Sequence, residues 1–259
     1  MAKTKAKRGM AKARKRVDKA QNVMIKSLDK RLNNLEESIE TKYAVTYNSV
    51  GVNGTSLDFS DPADRVAQIY HIRIAPTQGL TDVLQRIGDK VNLKSIQMRY
   101  SLTLRNAGAG APPISRVRVI MFWDKDPQAS NGTGSIQNNP PEWTQLLQSL
   151  QPNNINNMEV AMLSTKVHDL RQRFSFIYDK VHCLTSSVTP AGSLQGIGSR
   201  SAVGEERFYK AYKKCLIKYF SAGQVNTNKG LYLAVLSTQG GGFEPPVFNY
   251  WVKTQFQDA

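Results

Sequence analysis

The sequence predicts an antiparallel all-β domain behind a basic leader and one amphipathic helix. Three observations predict it. From about residue 65, β-type runs alternate with loops through the rest of the 259-residue chain. No βαβ rhythm accompanies them, which argues against a parallel sheet. The charge is lopsided: 35 Lys and Arg against 20 Asp and Glu give a formal net charge of +15. Twelve of those cations fall in residues 1–31, with two acids, Asp18 and Asp29, so that segment is +10 and the remainder of the chain shares +5.

Composition sets outer limits. At 40% hydrophobic residues the chain can bury a core and is not wholly disordered. Cys183 and Cys215 are too few for a disulfide framework and fit a reducing compartment. No apolar run approaches the roughly 18 residues of a membrane-spanning helix. The basic N-terminus lacks the apolar stretch of a secretory signal.

Residues 1–16 have no acid, and their only large apolar residues are Met1 and Met10. Such a block forms no core, and its charges repel one another. Three readings fit: a solvated tail, a nuclear-targeting signal, and a nucleic-acid-binding arm. The last is favoured, with Lys3, Lys5, Lys7, Arg8, Lys12, Arg14, Lys15, Arg16 and Lys19 as its phosphate contacts. Cations paired with phosphates release counterions, so binding is strong, salt-dependent and blind to sequence. A membrane-surface helix would need a broad apolar face beside the charge, and none is present here, so no membrane partner is expected.

Residues 17–42 read as an amphipathic helix. Val17 to Glu40 contains no Gly or Pro, and Ile25, Leu28, Leu32, Leu35 and Ile39 are spaced 3, 4, 3, 4, as in a coiled coil. The basic start and the acidic end (Glu36, Glu37, Glu40) oppose the helix dipole, so a partner is needed for stability. That partner is either the chain's own domain or other copies of the chain. Two heptads associate only if the main domains hold them close.

The β body is expected over 43–259. Strands are predicted at 65–75, 91–105, 115–124, 173–184, 208–220, 230–237 and 247–256, with weaker candidates at 43–47 and 158–165 and a short helix over 142–150. In the second strand the apolar parity shifts between Leu93 and Ile96, which predicts a bulge. Seven or eight strands with long connections fit a sandwich or a jelly roll. Loops of this length suit contacts between subunits.

Several segments together carry a family likeness. Arg86-Ile-Gly-Asp89-Lys-Val-Asn-Leu-Lys-Ser-Ile96 opens the long strand. Arg116-Val-Arg-Val-Ile-Met-Phe-Trp-Asp-Lys-Asp-Pro-Gln128 follows, then the leucine-bearing helix, then Arg173-Phe-Ser-Phe-Ile-Tyr-Asp-Lys180. In this order they resemble the capsid proteins of small circular Rep-encoding single-stranded DNA viruses. They are also similar to the coat protein of satellite tobacco necrosis virus, an RNA satellite. The resemblance implies a single eight-stranded jelly roll, a small icosahedral shell of about sixty copies, and an arm turned toward a single-stranded genome. It also implies N-terminal helices joined in threes beneath the threefold axes, a place in the virion, and host-nuclear assembly if the genome is DNA. Sixty arms at +10 would place about +600 inside the shell, a large part of the charge of a genome on the order of one to two thousand nucleotides.

A second basic feature is Lys210, Lys214 and Lys218. On one continuous strand they share a face, which is either a solvated surface or a second genome contact. Tyr209, Tyr212 and Tyr219 beside them are the only hint of base stacking.

Catalytic chemistry is poorly supplied. His71, His168 and His182 lack partners at zinc-site spacing. Cys183 and His182, adjacent on a strand, face opposite ways. Asp124-Lys-Asp126 offers two carboxylates to a structural calcium, or marks a turn. Gly240-Gly-Gly242 lacks the following residues of a phosphate-binding loop. The expectation is therefore a non-enzymatic capsid protein without cofactor. The alternatives are a satellite-like RNA-virus capsid protein and a non-viral nucleic-acid-binding protein.

Overall fold

The computed structural model describes residues 18–19, 21–32, 41–52, 67–76, 78–79, 85–104, 114–127, 140–148, 158–185, 202–219, 228–239 and 245–259. Met1–Thr41 and Lys42–Ala259 form separate compact units. In the first, residues 18–19 and 21–32 are helical. The second is the β body.

Among the described residues the body has nine strands: β1 (Lys42–Gly51), β2 (Ile69–Ile72), β3 (Lys90–Thr103), β4 (Ile114–Asp124), β5 (Phe174–Thr185), β6 (Ala202–Ala211), β7 (Leu216–Lys218), β8 (Gly230–Ser237) and β9 (Val247–Asp258). One sheet runs β1-β9-β3-β6, with β7 continuing beside β3, and the other runs β2-β8-β4-β5. All named pairings are antiparallel. The first strand thus pairs with the last, the second with the next to last, and so inward, each pair changing sheet. That winding is a jelly roll, a fold that serves viral capsid and lectin domains and cupins. It has eight strand positions because β6 and β7 occupy one.

Period-2 alternation assigns side chains to two cores. Between the sheets pack Leu93, Ile96, Met98, Val117, Val119, Met121, Leu231, Leu233, Val235, Phe248, Val252 and Phe256. The other face of the four-stranded sheet buries Ile120, Phe122, Tyr232, Ala234 and Leu236 beneath Trp143, Leu146, Met158 and Met162. Those last four come from two short helices, Trp143–Leu146 and Met158–Leu163. Burial on both faces explains why β8 reads as a continuous apolar run rather than an alternating one. The five-stranded sheet has no such cladding among the described residues, and its outer positions are mostly polar, with Tyr43, Tyr47, Tyr209 and Trp251 set among them.

The predicted bulge is present. The β3–β9 register shifts between Leu93 and Ser95, which returns Ile96, Met98, Tyr100 and Leu102 to the core.

Four expectations need correction. The strand over 65–75 is Ile69–Ile72 within the described residues, and Arg73 and Ile74 beyond it give their carbonyls to Thr254 Oγ1 at 3.2 and 2.8 Å. Met158–Thr165 is not a strand: Met158–Leu163 is helical, because Met158, Ala161 and Met162 recur at i, i+3, i+4 and bury one face. The helix over 142–150 spans only Trp143–Leu146; Leu147 turns extended and bridges to Lys166. The single strand over 208–220 is two, since four residues, 212–215, face the two residues 93–94 of β3. Side-chain and backbone bonds hold the step: Asn92 Oδ1 accepts the Cys215 N–H at 3.1 Å, and Lys94 O accepts that of Tyr212 at 2.7 Å.

Two ionic knots fasten the clad sheet. Arg118, buried on β4, binds Asp179 with two nitrogens at 2.9 Å each. It also donates to the carbonyls of Ala161 (2.8 Å) and Ser164 (2.9 Å), where the helix Met158–Leu163 ends and leaves acceptors open. Burial pushes the Asp179 carboxyl up, but the bonds and charge of Arg118, with Lys166, outweigh it and hold the group below the usual carboxylate range. The second knot joins Asp124 to Arg173 at 2.8 Å.

On β2, His71 lies edge-on to Tyr232, ring centroids 5.4 Å apart. Burial, then the charge of Arg73, lowers its pKa from 6.5 to about 4. The unfolded chain therefore takes up this proton before the folded one does. The contribution is complete above pH 6.5 and is lost as pH falls toward 4, at most about 3 kcal/mol. His71→Gln is expected to flatten the fall in urea-unfolding stability across that window; an unchanged slope counts against the assignment.

Candidate nucleic-acid interface

Of the arm, Lys3, Lys5, Lys7, Arg8, Lys12, Arg14, Lys15 and Arg16 lie outside the described residues, and Lys19 is an exposed helical residue. In the helical seam Ile25, Leu28 and Leu32 are exposed, as are Val23 and Met24. Leu35 and Ile39 lie outside the described residues, as do Gly240-Gly-Gly242.

The structure does not set Lys210, Lys214 and Lys218 on one face. Lys210 shares the inner side of its strand with Phe208 and Tyr212, which pack against the main core, and its Nζ lies 5.7 Å from the Tyr212 ring centroid. Lys214 is exposed in the step between strands, and Lys218 lies beside buried Ile217 on β7. The neighbouring tyrosines are divided too. Tyr212 accepts a bond from Trp123 Nε1 at 3.1 Å, and Tyr219 is buried with the Arg86 guanidinium 4.2 Å from its ring centroid. Tyr209 alone of the three is exposed.

The outer face of the five-stranded sheet holds a different set. Register aligns Tyr47 with Trp251, Trp251 with Arg99, and Arg99 with Arg207, one row across four strands. The adjacent row is Val45, Lys253, Gln97 and Tyr209. Residues directly opposite on antiparallel strands share a face, so both rows project from the same side. The Arg99 guanidinium lies 6.0 Å from the Trp251 ring centroid, and Lys253 Nζ lies 4.6 Å from that of Tyr43. Glu205 braces Arg99 at 3.3 Å and Arg207 at 2.9 Å. Among the described residues every exposed aromatic, Tyr43, Tyr47 and Tyr209, belongs to this face. Sequence reasoning found only Tyr209. The alternation in Val247–Phe256 marks Trp251 as outward, but the rows exist only once five strands are in register.

The other candidates resolve into structural roles. Both Asp124 carboxylate oxygens accept from Arg173, at 2.9 and 2.8 Å, and Oδ1 also accepts the Asp126 N–H at 3.0 Å. That carboxylate is engaged by a guanidinium, which displaces the calcium reading. His182 is buried, its Nε2 2.7 Å from the Tyr100 hydroxyl, which also bonds Tyr178. Burial, with the charge of Lys180, lowers the His182 pKa, and burial raises that of Tyr100. Cys183 faces outward, away from His182. Among the described residues no group of three or more His, Cys, Asp or Glu could hold a metal ion, and no helix is long and apolar enough to cross a membrane.

The strand order defines the class: a jelly-roll domain. No protein-family model and no curated protein matches the chain. Solved structures give distant likenesses. The mud crab tombus-like virus structure is 13% identical, with 87% of this chain and 98% of that one covered and a TM-score of 0.26. The 60-mer BFDV capsid protein is 10% identical over 85% and 94%, with a TM-score of 0.27. The virus-like particle of the giant freshwater prawn (Macrobrachium rosenbergii) nodavirus is 12% identical over 85% and 86%, with a TM-score of 0.25. The fold assignment rests on the strand order, not on these likenesses.

Proposed function

We propose that this chain is a viral capsid protein that self-assembles into a small icosahedral shell and packages a single-stranded genome through its basic N-terminal arm. One combination supports the reading: a jelly-roll body preceded in sequence by an apolar seam at heptad spacing and a +10 leader. The body builds the wall. Ile25, Leu28 and Leu32, with Leu35 and Ile39, join helices of neighbouring copies in threes. The arm neutralises phosphates without reading bases. The motif resemblance favours about sixty copies and a circular DNA genome, and with them assembly in the host nucleus. Catalysis has no part in it.

Exposed apolar side chains in a row on a helix are costly unless another surface covers them. The purified chain is therefore expected to form closed particles by negative-stain microscopy and to elute accordingly in size exclusion. A stable species of one or two chains overturns the proposal. Leu28→Asp with Leu32→Asp is expected to cut particle yield several-fold while the β body keeps its melting temperature. Unchanged yield would mean the seam is not between copies.

A further inference from the structure

We infer that the outer face of the β1-β9-β3-β6 sheet is a base-stacking surface for single-stranded nucleic acid. The inference rests on the nucleic-acid part of the proposed function and adds to it a contact with bases, which the arm does not make.

A free sheet face ordinarily carries polar and charged residues. Here it carries Trp251, half-buried, and tyrosines at 41% (Tyr43), 76% (Tyr47) and 66% (Tyr209) exposure. None is needed for the core, since Phe248, Tyr250, Val252 and Phe256 fill that side of β9. Beside the rings stand Arg99, Arg207 and Lys253, with Glu205 bridging the two arginines. Exposed rings interleaved with cations are what unpaired bases and their phosphates require together: stacking on the ring faces, and a positive track for the backbone. A four-stranded sheet with outward aromatics is a known physical solution for splaying out and stacking two or three bases. At strand spacing, the row from Tyr47 to Arg207 spans about 14 Å, room for more than one base. Duplex nucleic acid keeps its base faces internal and offers this surface phosphates alone. A second copy of the chain is the rival occupant, but two such faces would bring like charges together.

Tryptophan fluorescence isolates the surface. The chain has three tryptophans, and Trp123 and Trp143 are buried, so stacked bases reach Trp251 alone. The full-length chain is titrated with short oligo-dT, with a duplex of equal length, and with inorganic polyphosphate, binding being followed independently by sedimentation. Oligo-dT is expected to quench the emission, and duplex and polyphosphate to bind with little quenching. Trp251→Phe should abolish the quenching and keep binding; Trp251→Thr should weaken oligo-dT binding about ten-fold and leave polyphosphate binding unchanged. If Trp251→Thr fails to fold, Tyr47→Thr at the most exposed ring makes the same test. Oligo-dT that binds without quenching overturns the stacking surface and leaves the phosphate-binding arm standing. Failure of every polyanion to bind overturns both. Equal quenching by duplex at equal occupancy, or emission that shifts with protein concentration alone, also overturns it, the latter in favour of a second copy.

Discussion

Deleting residues 2–16 is expected to reduce the nucleic acid recovered from particles several-fold while the β body melts where it did before. The segment carries eight Lys and Arg and no acid. For single strands each neutralised phosphate contributes roughly −0.7 to the slope of log K against log salt, so the deletion should lower that slope by about 5 to 6. At low salt this is a loss of several orders of magnitude in affinity, far more than any single side chain of the body supplies. The body should be indifferent, because residues 2–16 offer a core no large apolar side chain but that of Met10. Two measurements check it: the ratio of absorbance at 260 to 280 nm of purified particles, and the salt dependence of oligonucleotide binding. Unchanged nucleic-acid content would remove the arm from packaging.

The second large effect is expected at Arg173. Its partner Asp124 has a side chain with 0% exposure, and Arg173 itself keeps 16%. The ion pair sits where β4 ends and β5 begins, beside a backbone bond from Lys125 N–H to Arg173 O of 2.9 Å. Arg173→Ala would leave a buried carboxylate without the guanidinium that both its oxygens bind, which costs about 3–5 kcal/mol. Replacing both partners with apolar residues, Asp124→Leu with Arg173→Met, should recover much of that, because a buried ion pair is worth little relative to a well-packed apolar pair. Urea unfolding of the two variants beside the parent chain decides it. A loss below about 1 kcal/mol for Arg173→Ala would mean that water or another cation reaches Asp124.

Much of the β body was legible because strands buried on one face alternate and those buried on both run continuously apolar. β3, β4, β5, β8 and β9 fall within a few residues of the expected spans, and the parity slip at Leu93–Ile96 was readable as a bulge. β1 was legible only in part: it lies at a sheet edge, and Thr46, Asn48 and Ser49 dilute its pattern. The helix at Met158–Leu163 passed for a strand because six residues carry too little periodicity, yet Met158, Ala161 and Met162 held the helical spacing. The break between β6 and β7 has no Gly or Pro to announce it. Asn92 and Lys94, more than a hundred residues away in sequence, hold the step from across the sheet. The same dependence on distant partners hid the outer-face rows. Tyr47, Arg99, Arg207 and Trp251 are unremarkable one at a time and become a surface only through pairing. The three lysines failed for the converse reason, since their common face needed a strand that does not continue.

Because the first and last strands lie side by side, Lys42 Nζ sits 2.8 Å from Asp258 Oδ2, and the polypeptide joins and leaves the sandwich at one corner. Whatever is grafted after Ala259 therefore sets out from beside the point where the leader arrives. Separation of those two strand ends on unfolding would be visible to a distance probe that spans Lys42 and Asp258.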